Sequence, residues 1–474
     1  KAKGIAAVAI VSGMGKREID IALDNCILGD IKFLYISPER LLTDLVRERI
    51  RHMDVNLIAV DEAHCISQWG YDFRPSYLHV IKLRELHPQV PLIALTATAT
   101  HRVVADIQQK LAFKTDLVYR KSFERKNVSY VVFNLDDKLG KLIAIANKVP
   151  GSGIVYVRSR RKAEELTRYL QANKISADYY HAGLDVVSRD KKQNEWKSGQ
   201  NRVMVATNAF GMGIDKPDVR FVVHLDLPES LEAYYQEAGR VGRDGKKAYA
   251  VLIHHEADKH KLLNRVAQNY PSVEEIKQVY HHLGNYYQLA YGAGLGLLLD
   301  FDIAEFCSRF KLDVLKTLQA LKFLERDGYI SLSDSVFLPA RLQIIVAEEA
   351  LYRFQIAEPV YDRVIKMILR SYGGVFDSYV IVKEGELAKR LGLSKADVIA
   401  CLNKLQAASL VHYLPQTDKP QLQWFQSPVV GKYVHIDHKY LAQRKEIQQQ
   451  QIQSVINYVE QSRCRSIQLL EYFD

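Results

Sequence analysis

Two adjacent carboxylates follow a short apolar run in the first part of the chain. Asp61 and Glu62 come directly after residues 55–60, which are typical of a buried parallel strand. Sheets of this kind bind ligands at the carboxyl ends of their strands. One carboxylate there can hold the Mg²⁺ that bridges two phosphates of a nucleotide, and the next can orient the attacking water. We assign Asp61 to Mg²⁺ and Glu62 to the water; a chance motif or a helix-capping acid pair is the structural alternative.

Two arginines lie among glycines in residues 236–245. The glycines allow a close backbone approach, so Arg240 and Arg243 suit contact with a nucleotide γ-phosphate across an interface. An arginine delivered in this way contributes about 10³ to 10⁵ in rate. The structural alternative for Arg243 is a surface ion pair with Asp244 or Glu237.

Strands that alternate with helices must position these side chains. Near-continuous apolar strands separated by helices indicate a parallel sheet covered on both faces. The chain is therefore predicted to be α/β, with tandem parallel-sheet lobes over residues 1–135 and 136–260. The predicted strands are 5–11, 31–36, 55–60 and 91–95, then 154–157, 177–180, 203–206, 220–225 and 248–253.

Helical patterns dominate after the second lobe. Residues 305–332 and 386–414 form a weak internal repeat of a short helix, a turn, a longer helix and a strand. That order is typical of a helix-turn-helix with a wing. It predicts a helical, winged-helix-like region over residues 261–345 and a winged-helix-like domain over residues 346–436.

Two wing hairpins are predicted, over residues 329–338 and 411–425. An aromatic residue of the second hairpin, Tyr413 or Trp424, either separates duplex strands as a pin or packs inside the hairpin. The last segment, residues 437–474, opens with one long amphipathic helix.

Composition narrows the class of protein. Of 474 residues, 48% are hydrophobic and 25% are charged, which is typical of a globular chain with a full core. The net charge of +10 favours a polyanionic partner, nucleic acid first. Five scattered cysteines without a C-x-x-C pair exclude a disulfide scaffold and favour a reducing compartment, and no apolar run is long enough to suggest a membrane span.

Several motifs, taken in order, resemble those of the RecQ family of DNA helicases in superfamily 2. They are residues 37–40, 61–75, 96–98, 180–183, 206–215 and 236–245. The resemblance covers residues 1–260 closely and continues more loosely to the end. It implies two RecA-like lobes that couple ATP hydrolysis to 3′→5′ translocation on single-stranded DNA, in recombination and repair.

The resemblance also implies roles for residues of the first lobe. His64 would link the ATP site to the DNA site. Gln68, Trp69, Phe73 and Arg74 would form a loop that senses single-stranded DNA, although Tyr71 stands where most relatives have histidine. Aromatic faces stack on bases at ~1–3 kcal/mol each. Ordinary core packing of the two aromatic residues is the alternative.

In the second lobe, one set of implied roles concerns the DNA backbone and another the nucleotide. The positions that resemble phosphate contacts are Ser159, Arg160, His181, Gly183 and Thr207. The positions near the nucleotide are Gly213, Asp215, Gln236 and Arg240, with Arg243 as the arginine finger.

Two departures from the family pattern qualify this interpretation. No G-x-x-x-x-G-K-[ST] phosphate loop is present, and residues 13–17 have the wrong glycine spacing. The first lobe is therefore expected to be incomplete, with the loop preceding Lys1 in a longer parent. Cys464 resembles the first ligand of a four-cysteine zinc subdomain whose other ligands would follow Asp474, so zinc is expected only in that parent.

The sequence thus predicts an ATP- and Mg²⁺-dependent DNA helicase that acts on single strands and duplex junctions. The expected location is cytoplasmic and nucleoid-associated, without membrane contact. A catalytically inactive DNA-binding fragment is the alternative, because the phosphate loop is absent. An RNA-directed helicase of the DEAH type is a third hypothesis, which the tryptophan-containing loop after His64 disfavours. Oligomeric state stays open.

Overall fold

The computed structural model describes residues 4–11, 14–67, 74–211, 214–290, 292, 294–333, 340–376, 378–416, 420–426 and 433–473. The chain divides into two compact units. One comprises residues 1–266 and 442–474, and the other comprises residues 267–441.

The first lobe contains two parallel strand pairs, which confirms the four predicted strand positions. The strands are β1 (Ala7–Ala9) with β2 (Phe33–Tyr35), and β3 (Ile58–Val60) with β4 (Leu92–Ala94). The helices are α1 (Lys16–Leu28), α2 (Asp44–Arg51), α3 (Ile81–Leu86) and α4 (His101–Lys110), with 3₁₀ turns at Pro38–Leu42, Ala63–Ile66 and Pro75–Val80. One face of β2 stays open, because Phe33 and Tyr35 are 50% and 61% exposed. The expectation that both sheet faces are covered is therefore not met in this lobe.

The second lobe is a six-stranded parallel sheet with the strand order β5-β10-β9-β6-β8-β7. Its strands are β5 (Val128–Asn134), β6 (Ser152–Tyr156), β7 (Ala177–Tyr180), β8 (Val203–Ala206), β9 (Val219–His224) and β10 (Ala248–His254). Its helices are α5 (Lys138–Lys148), α6 (Arg160–Ala172), α7 (Val186–Ser198) and α8 (Leu231–Ala238). All five predicted strands of this lobe are present, and their side chains form a buried core.

The expected boundary between the lobes was misplaced. Strand β5 pairs with β10 along its whole length, with Val131 opposite Val251. The second lobe therefore begins before residue 128, and not at residue 136. The sequence obscured this strand because Ser129, Tyr130 and Asn134 interrupt its apolar residues, as is common at the edge of a sheet.

The second unit contains two helix-turn-helix modules, each closed by a three-stranded antiparallel sheet. The first module comprises α10 (Val273–Tyr286), β11 (Leu298–Asp300), α11 (Ile303–Phe310), α12 (Val314–Arg326), β12 (Ile330–Leu332) and β16 (Gln421–Trp424). The second comprises β13 (Ala340–Ile344), α13 (Glu348–Ala357), α14 (Pro359–Ser371), β14 (Val380–Val382), α15 (Glu384–Leu391), α16 (Lys395–Ala407) and β15 (Val411–Leu414). Each module has its own buried core, so the internal repeat is confirmed.

The second module is inserted between two strands of the first. Strand β16 lies between β11 and β12, and strand β13 lies between β14 and β15. The middle strand of the second module therefore comes before its helices, whereas that of the first module comes after them. The predicted hairpin over residues 411–425 does not form, because β15 and β16 belong to different sheets. The tip of the hairpin predicted over residues 329–338 lies outside the described residues.

These pairings also move the predicted boundaries. Residues 340–344 belong to the second module, and residues 421–424 with Val434 and Ile436 belong to the core of the first. A break at residue 345 would remove the middle strand from the second module. The repeat pattern predicts two consecutive modules and contains no signal that one module is nested inside the other.

A fragment of residues 340–416 is expected to fold by itself as a cooperative domain, because it contains every strand and helix of the second core. A matched fragment of residues 346–436 is expected to stay unfolded, since it lacks β13 with the buried Leu342 and Ile344. Thermal unfolding followed by circular dichroism compares the two. Equal cooperative transitions in both fragments would contradict the nested arrangement.

Three helices complete the chain: α9 (Glu256–Asn269), α17 (His438–Glu460) and α18 (Arg465–Phe473). Helix α17 confirms the long helix predicted near the end. Within the described parts of the chain, no helix combines the length and the apolar character that crossing a membrane requires.

Candidate active site

The two carboxylates lie where β3 ends. The main chain turns sharply after the strand, and Glu62 adopts a left-handed conformation with φ of 49°. Its N–H donates to Asp61 Oδ1 at 2.8 Å, and the N–H of Ala63 donates to the carbonyl of Leu95 at 2.9 Å. A non-glycine residue in this conformation costs about 1–3 kcal/mol, and such strain clusters at functional sites. The acidic pair therefore lies in a strained turn at the carboxyl end of β3.

A buried histidine joins this turn to the segment after β4. His64 is 1% exposed. Its Nδ1 lies 3.4 Å from Glu62 Oε2 and 3.1 Å from Thr96 Oγ1. Since β3 and β4 are neighbouring parallel strands, their carboxyl ends bring residues 62, 64 and 96 together. His64 therefore contacts both the Glu62 carboxylate and the segment that follows β4, and it can orient that carboxylate.

The predicted DNA-sensing loop is only partly described. Gln68, Trp69 and Phe73 lie outside the described residues. Arg74 is half-buried, and its N–H donates to the carbonyl of Cys65 at 2.9 Å. This bond ties the end of the loop to the 3₁₀ turn that follows the acidic pair.

Arg240 and Arg243 lie in the turn after α8. Arg243 donates to Asp215 Oδ1 at 2.6 Å, and the side chain of Arg243 is 39% exposed. The partners considered for a simple surface pair bind elsewhere: Asp244 accepts two hydrogen bonds from Arg220, and Glu237 lies 2.8 Å from His224. Arg243 is therefore joined to another predicted site residue.

Arg240 is more deeply placed. It is 6% exposed and donates from Nη1 to the carbonyl of Ile214 at 3.3 Å. Its buried Nε has no hydrogen-bond partner in the described part of the molecule. A buried guanidinium with an unsatisfied donor suits an anionic ligand, because an unpaired buried polar group is costly.

Residues of both lobes line one cavity of about 1050 Å³. The first lobe contributes Glu62 and Thr96, and the second contributes residues that include Asp215, Gln236, Arg240 and Arg243. A cavity of this size with converging charged groups is the usual form of a small-molecule site. Of the predicted nucleotide residues, Gly213 lies outside the described residues.

The donor groups fit a nucleotide with a hard cation. Asp61 is exposed, and its carboxylate has accepting capacity beyond the single bond from Glu62 N–H. Carboxylate oxygens are preferred Mg²⁺ ligands, and arginines match phosphate oxygens. When bound, the ion would neutralise negative charge that develops on the phosphates.

Zinc has a less complete set of ligands. Cys464 is exposed, and the N–H groups of Ile467 and Ser466 at the start of α18 lower the pKa of its thiol. That favours a thiolate ligand. The described ranges contain no group of three or more side chains able to hold a metal ion, whereas zinc sites use four ligands or three with water.

The predicted DNA contacts lie at the carboxyl edge of the second sheet. Ser159 and Arg160 follow β6, His181 and Gly183 follow β7, and Thr207 follows β8. Because these three strands are neighbours in the sheet, one edge carries all five residues.

Burial divides this group. Arg160 lies so close to Gly183 that an added Cβ there would be 2.8 Å from Arg160 Nη1. Ser159, Arg160 and Gly183 are exposed and accessible to a phosphate. His181 and Thr207 are 5% and 7% exposed, and His181 Nε2 lies 3.2 Å from Glu164. The side chains of His181 and Thr207 are therefore buried behind the exposed residues of this edge.

Neither predicted pin candidate is exposed. Tyr413 is 2% exposed and donates to Glu384 Oε1 at 2.5 Å, and Trp424 is 0% exposed in the core of the first module. The packed alternative is the one found.

Three residues of this site were missed from the sequence. Arg125 and Asn127, in the segment between the lobes, bind main-chain carbonyls of the arginine-bearing turn. Tyr156 donates to the carbonyl of Phe210 at 2.7 Å, and burial raises the pKa of its hydroxyl. Composition and motif spacing give no signal for contacts that depend on the tertiary fold.

Known protein families match successive parts of the chain. A DEAD/DEAH box helicase model matches residues 1–107, and a helicase conserved C-terminal domain model matches residues 135–245. A RecQ helicase winged-helix domain of Bacteroidota matches residues 342–415, and a RecQ zinc-binding model matches residues 429–474.

Curated relatives agree with these models. The ATP-dependent DNA helicase RecQ of Pasteurella multocida is 42% identical over 266 residues, which are 55% of this chain and 42% of the relative. The RecQ of Bacillus subtilis is 42% identical over 253 residues, 53% of this chain and 43% of the relative. Along these successive segments, the chain is similar to helicases of the RecQ family.

A further relative, the probable ATP-dependent DNA helicase RecS of Bacillus subtilis, is 37% identical over 277 residues, 58% of this chain and 55% of the relative. The chain thus spans about half the length of the curated RecQ relatives that it matches. The match at residues 342–415 falls inside the nested second module, so that module is similar to a RecQ winged-helix domain.

Proposed function

We propose that this protein is an ATP-dependent DNA helicase of the RecQ type that moves 3′→5′ on single-stranded DNA. The observation that carries the proposal is the shared cavity, where Glu62 of one lobe and Arg243 of the other line the same space. A nucleotide held there would couple its hydrolysis to relative movement of the lobes. The similarity to RecQ helicases supports the same activity.

The proposed chemistry assigns one task to each group. Asp61 would hold Mg²⁺, and Glu62 would accept the proton of the attacking water while His64 keeps the Glu62 carboxylate in place. Arg243 balances charge that develops on the transferred phosphoryl group. Arg240 would bind the nucleotide through its buried guanidinium, whose Nε has no other hydrogen-bond partner among the described residues.

The proposed DNA path crosses the edge formed by Ser159, Arg160 and Gly183. Hydroxyl, guanidinium and main-chain N–H groups are the donors that proteins use toward phosphates. Because such contacts do not read bases, they suit translocation along any sequence. Recombination and repair, at duplex junctions in the cell's nucleoid, are the proposed setting. Zinc would be bound through Cys464 only together with ligands beyond those described.

The net charge is unevenly distributed in a way that supports this path. Residues 267–441 contain equal numbers of acidic and basic side chains, so the charge of +10 lies in the unit that holds both lobes. Phosphate neutralisation makes DNA affinity depend on salt. The lobes, and not the winged modules, are therefore proposed to supply the salt-dependent part of DNA binding.

Phosphate release from ATP, with and without single-stranded DNA, tests the proposal. We expect single-stranded DNA to stimulate phosphate release, whereas DNA binding without any release would favour the catalytically inactive alternative. Equal stimulation by RNA would favour an RNA helicase instead.

A further inference from the structure

The segment between the lobes is hydrogen-bonded to the turn that carries the arginines. Arg125 donates to three carbonyls of that turn, at 3.3 Å to Gly239, 2.9 Å to Val241 and 3.2 Å to Gly242. Asn127 Nδ2 donates to the carbonyls of Gly242 at 2.6 Å and Lys246 at 3.0 Å. One short segment thus fixes the main chain on both sides of Arg240 and next to Arg243.

These bonds are needed because the turn lies beyond the end of α8. Carbonyls after a helix end have no partner in the helix itself and must find donors elsewhere. A guanidinium has five donors in a fixed plane, so one arginine can satisfy several carbonyls and hold their relative directions. A flexible ammonium could not fix the same three groups in one geometry.

The turn also has no room for a side chain at Gly242. Its φ of +56° is left-handed, and an added Cβ would lie 2.5 Å from Asn127 Nδ2 and 2.8 Å from the carbonyl of Lys246. The main chain here is therefore closely fitted to the segment between the lobes.

Helix α18 packs on the same junction. The ring of Phe473 stacks on Phe123 with centroids 4.7 Å apart, and it lies 5.1 Å from the ring of Tyr235. The Tyr235 hydroxyl donates to the carbonyl of Phe123 at 2.7 Å. The Tyr472 hydroxyl donates to Glu232 at 2.8 Å. Helix α18, which follows Cys464, thereby covers both α8 and the start of the segment that contains Arg125.

We propose that Arg125 is a positioning residue of the nucleotide site, which holds the turn so that Arg243 faces the cavity, with α18 clamping Phe123 in place. This rests on the proposed ATP hydrolysis. Arg125 lines the same cavity, yet its bonded partners among the described residues are main-chain carbonyls. Because it belongs to the connection between the lobes, it makes the direction of Arg243 depend on how the lobes are arranged.

The test compares Arg125→Met and Arg125→Lys with the wild type and with Arg161→Ala, a control on the 89% exposed side chain of Arg161 in the same lobe. Misplacement of a catalytic group by 1 Å can cost about 10²-fold in rate. We expect Arg125→Met to lower kcat for DNA-stimulated hydrolysis by about 10²-fold, with KM for ATP and DNA affinity within about twofold of wild type. The Lys variant, which keeps the charge but not the planar donors, should fall between.

A double-mutant cycle with Arg243→Ala separates positioning from general damage. If Arg125 acts through Arg243, the double variant hydrolyses ATP no more slowly than Arg243→Ala alone in single-turnover experiments. Multiplying effects would overturn the proposal, as would an unchanged kcat in a folded Arg125→Met variant. If Arg125→Met fails to fold in a thermal-unfolding assay, the cycle is carried out with Arg125→Lys. Absence of hydrolysis in the wild type would instead refute the proposed function.

Discussion

Replacing Arg243 with alanine is expected to lower the rate of DNA-stimulated ATP hydrolysis by about 10³- to 10⁵-fold, the usual contribution of an arginine finger. DNA affinity should stay within about twofold, because Arg243 lies in the cavity between the lobes and not on the edge that carries Arg160. Single-turnover phosphate release and fluorescence anisotropy with labelled single-stranded DNA measure the two quantities.

The structure explains why this loss should be specific. Arg243 pairs with Asp215, whose side chain is 79% exposed, so the pair is accessible and its own contribution to stability is small. The variant should therefore unfold near the wild-type temperature. Arg220→Ala is the matched control, because Arg220 binds Asp244 in the same turn but does not line the cavity.

Two results would contradict the assignment of Arg243 as the arginine finger. Loss of DNA affinity in Arg243→Ala comparable to the loss of hydrolysis would place Arg243 on the DNA path. Equal losses in Arg220→Ala and Arg243→Ala would show that the turn needs its ion pairs for folding, and that neither arginine acts directly on phosphate.

The sequence predicted the strand ends well because each motif immediately follows an apolar run. For the acidic pair after β3, the rule that parallel strands carry their ligands at one edge was enough, whereas the predicted phosphate contacts after β6, β7 and β8 came from the family resemblance. The structure places Asp61 and Ser159 after the ends of β3 and β6, and the roles assigned to them stay predictions.

Contacts between distant segments could not be predicted in the same way. Arg125 binds a turn more than 110 residues away, and nothing near Arg125 in sequence indicates that partner. The same is true of β13, which joins β15 although the repeat pattern suggested a hairpin of β15 with β16. Local propensity decides that a strand forms, but tertiary pairing decides where it lies.

The two copies of the repeat differ in the residue at the turn between their two helices. The turn between the two helices of each module has a left-handed residue, which is Gly392 in the second module and Lys311 in the first. Glycine adopts this conformation without steric cost, whereas lysine does so only when the surrounding helices impose it. The pattern of apolar residues therefore identified the first module more reliably than its turn residue did.

The second large effect is expected from Glu62→Gln. The amide cannot accept the proton of the attacking water, and loss of a general base typically costs about 10²- to 10⁴-fold in rate. Nucleotide binding should persist, because Glu62 is assigned to the water and Asp61 to the ion. The expected result is a protein that binds ATP with Mg²⁺ at close to wild-type affinity and hydrolyses it very slowly.

Asp61→Asn is the informative comparison, since it removes the assigned ion ligand and leaves the base. We expect it to weaken Mg²⁺-dependent nucleotide binding, measured by titration of a fluorescent ATP analogue, whereas Glu62→Gln should leave that binding nearly unchanged. If both variants weakened binding equally, the two carboxylates would share the ion. The two carboxylates have different contacts, since Glu62 Oε2 lies 3.4 Å from His64 Nδ1 and Asp61 Oδ1 accepts from the N–H of Glu62, which argues for separate roles.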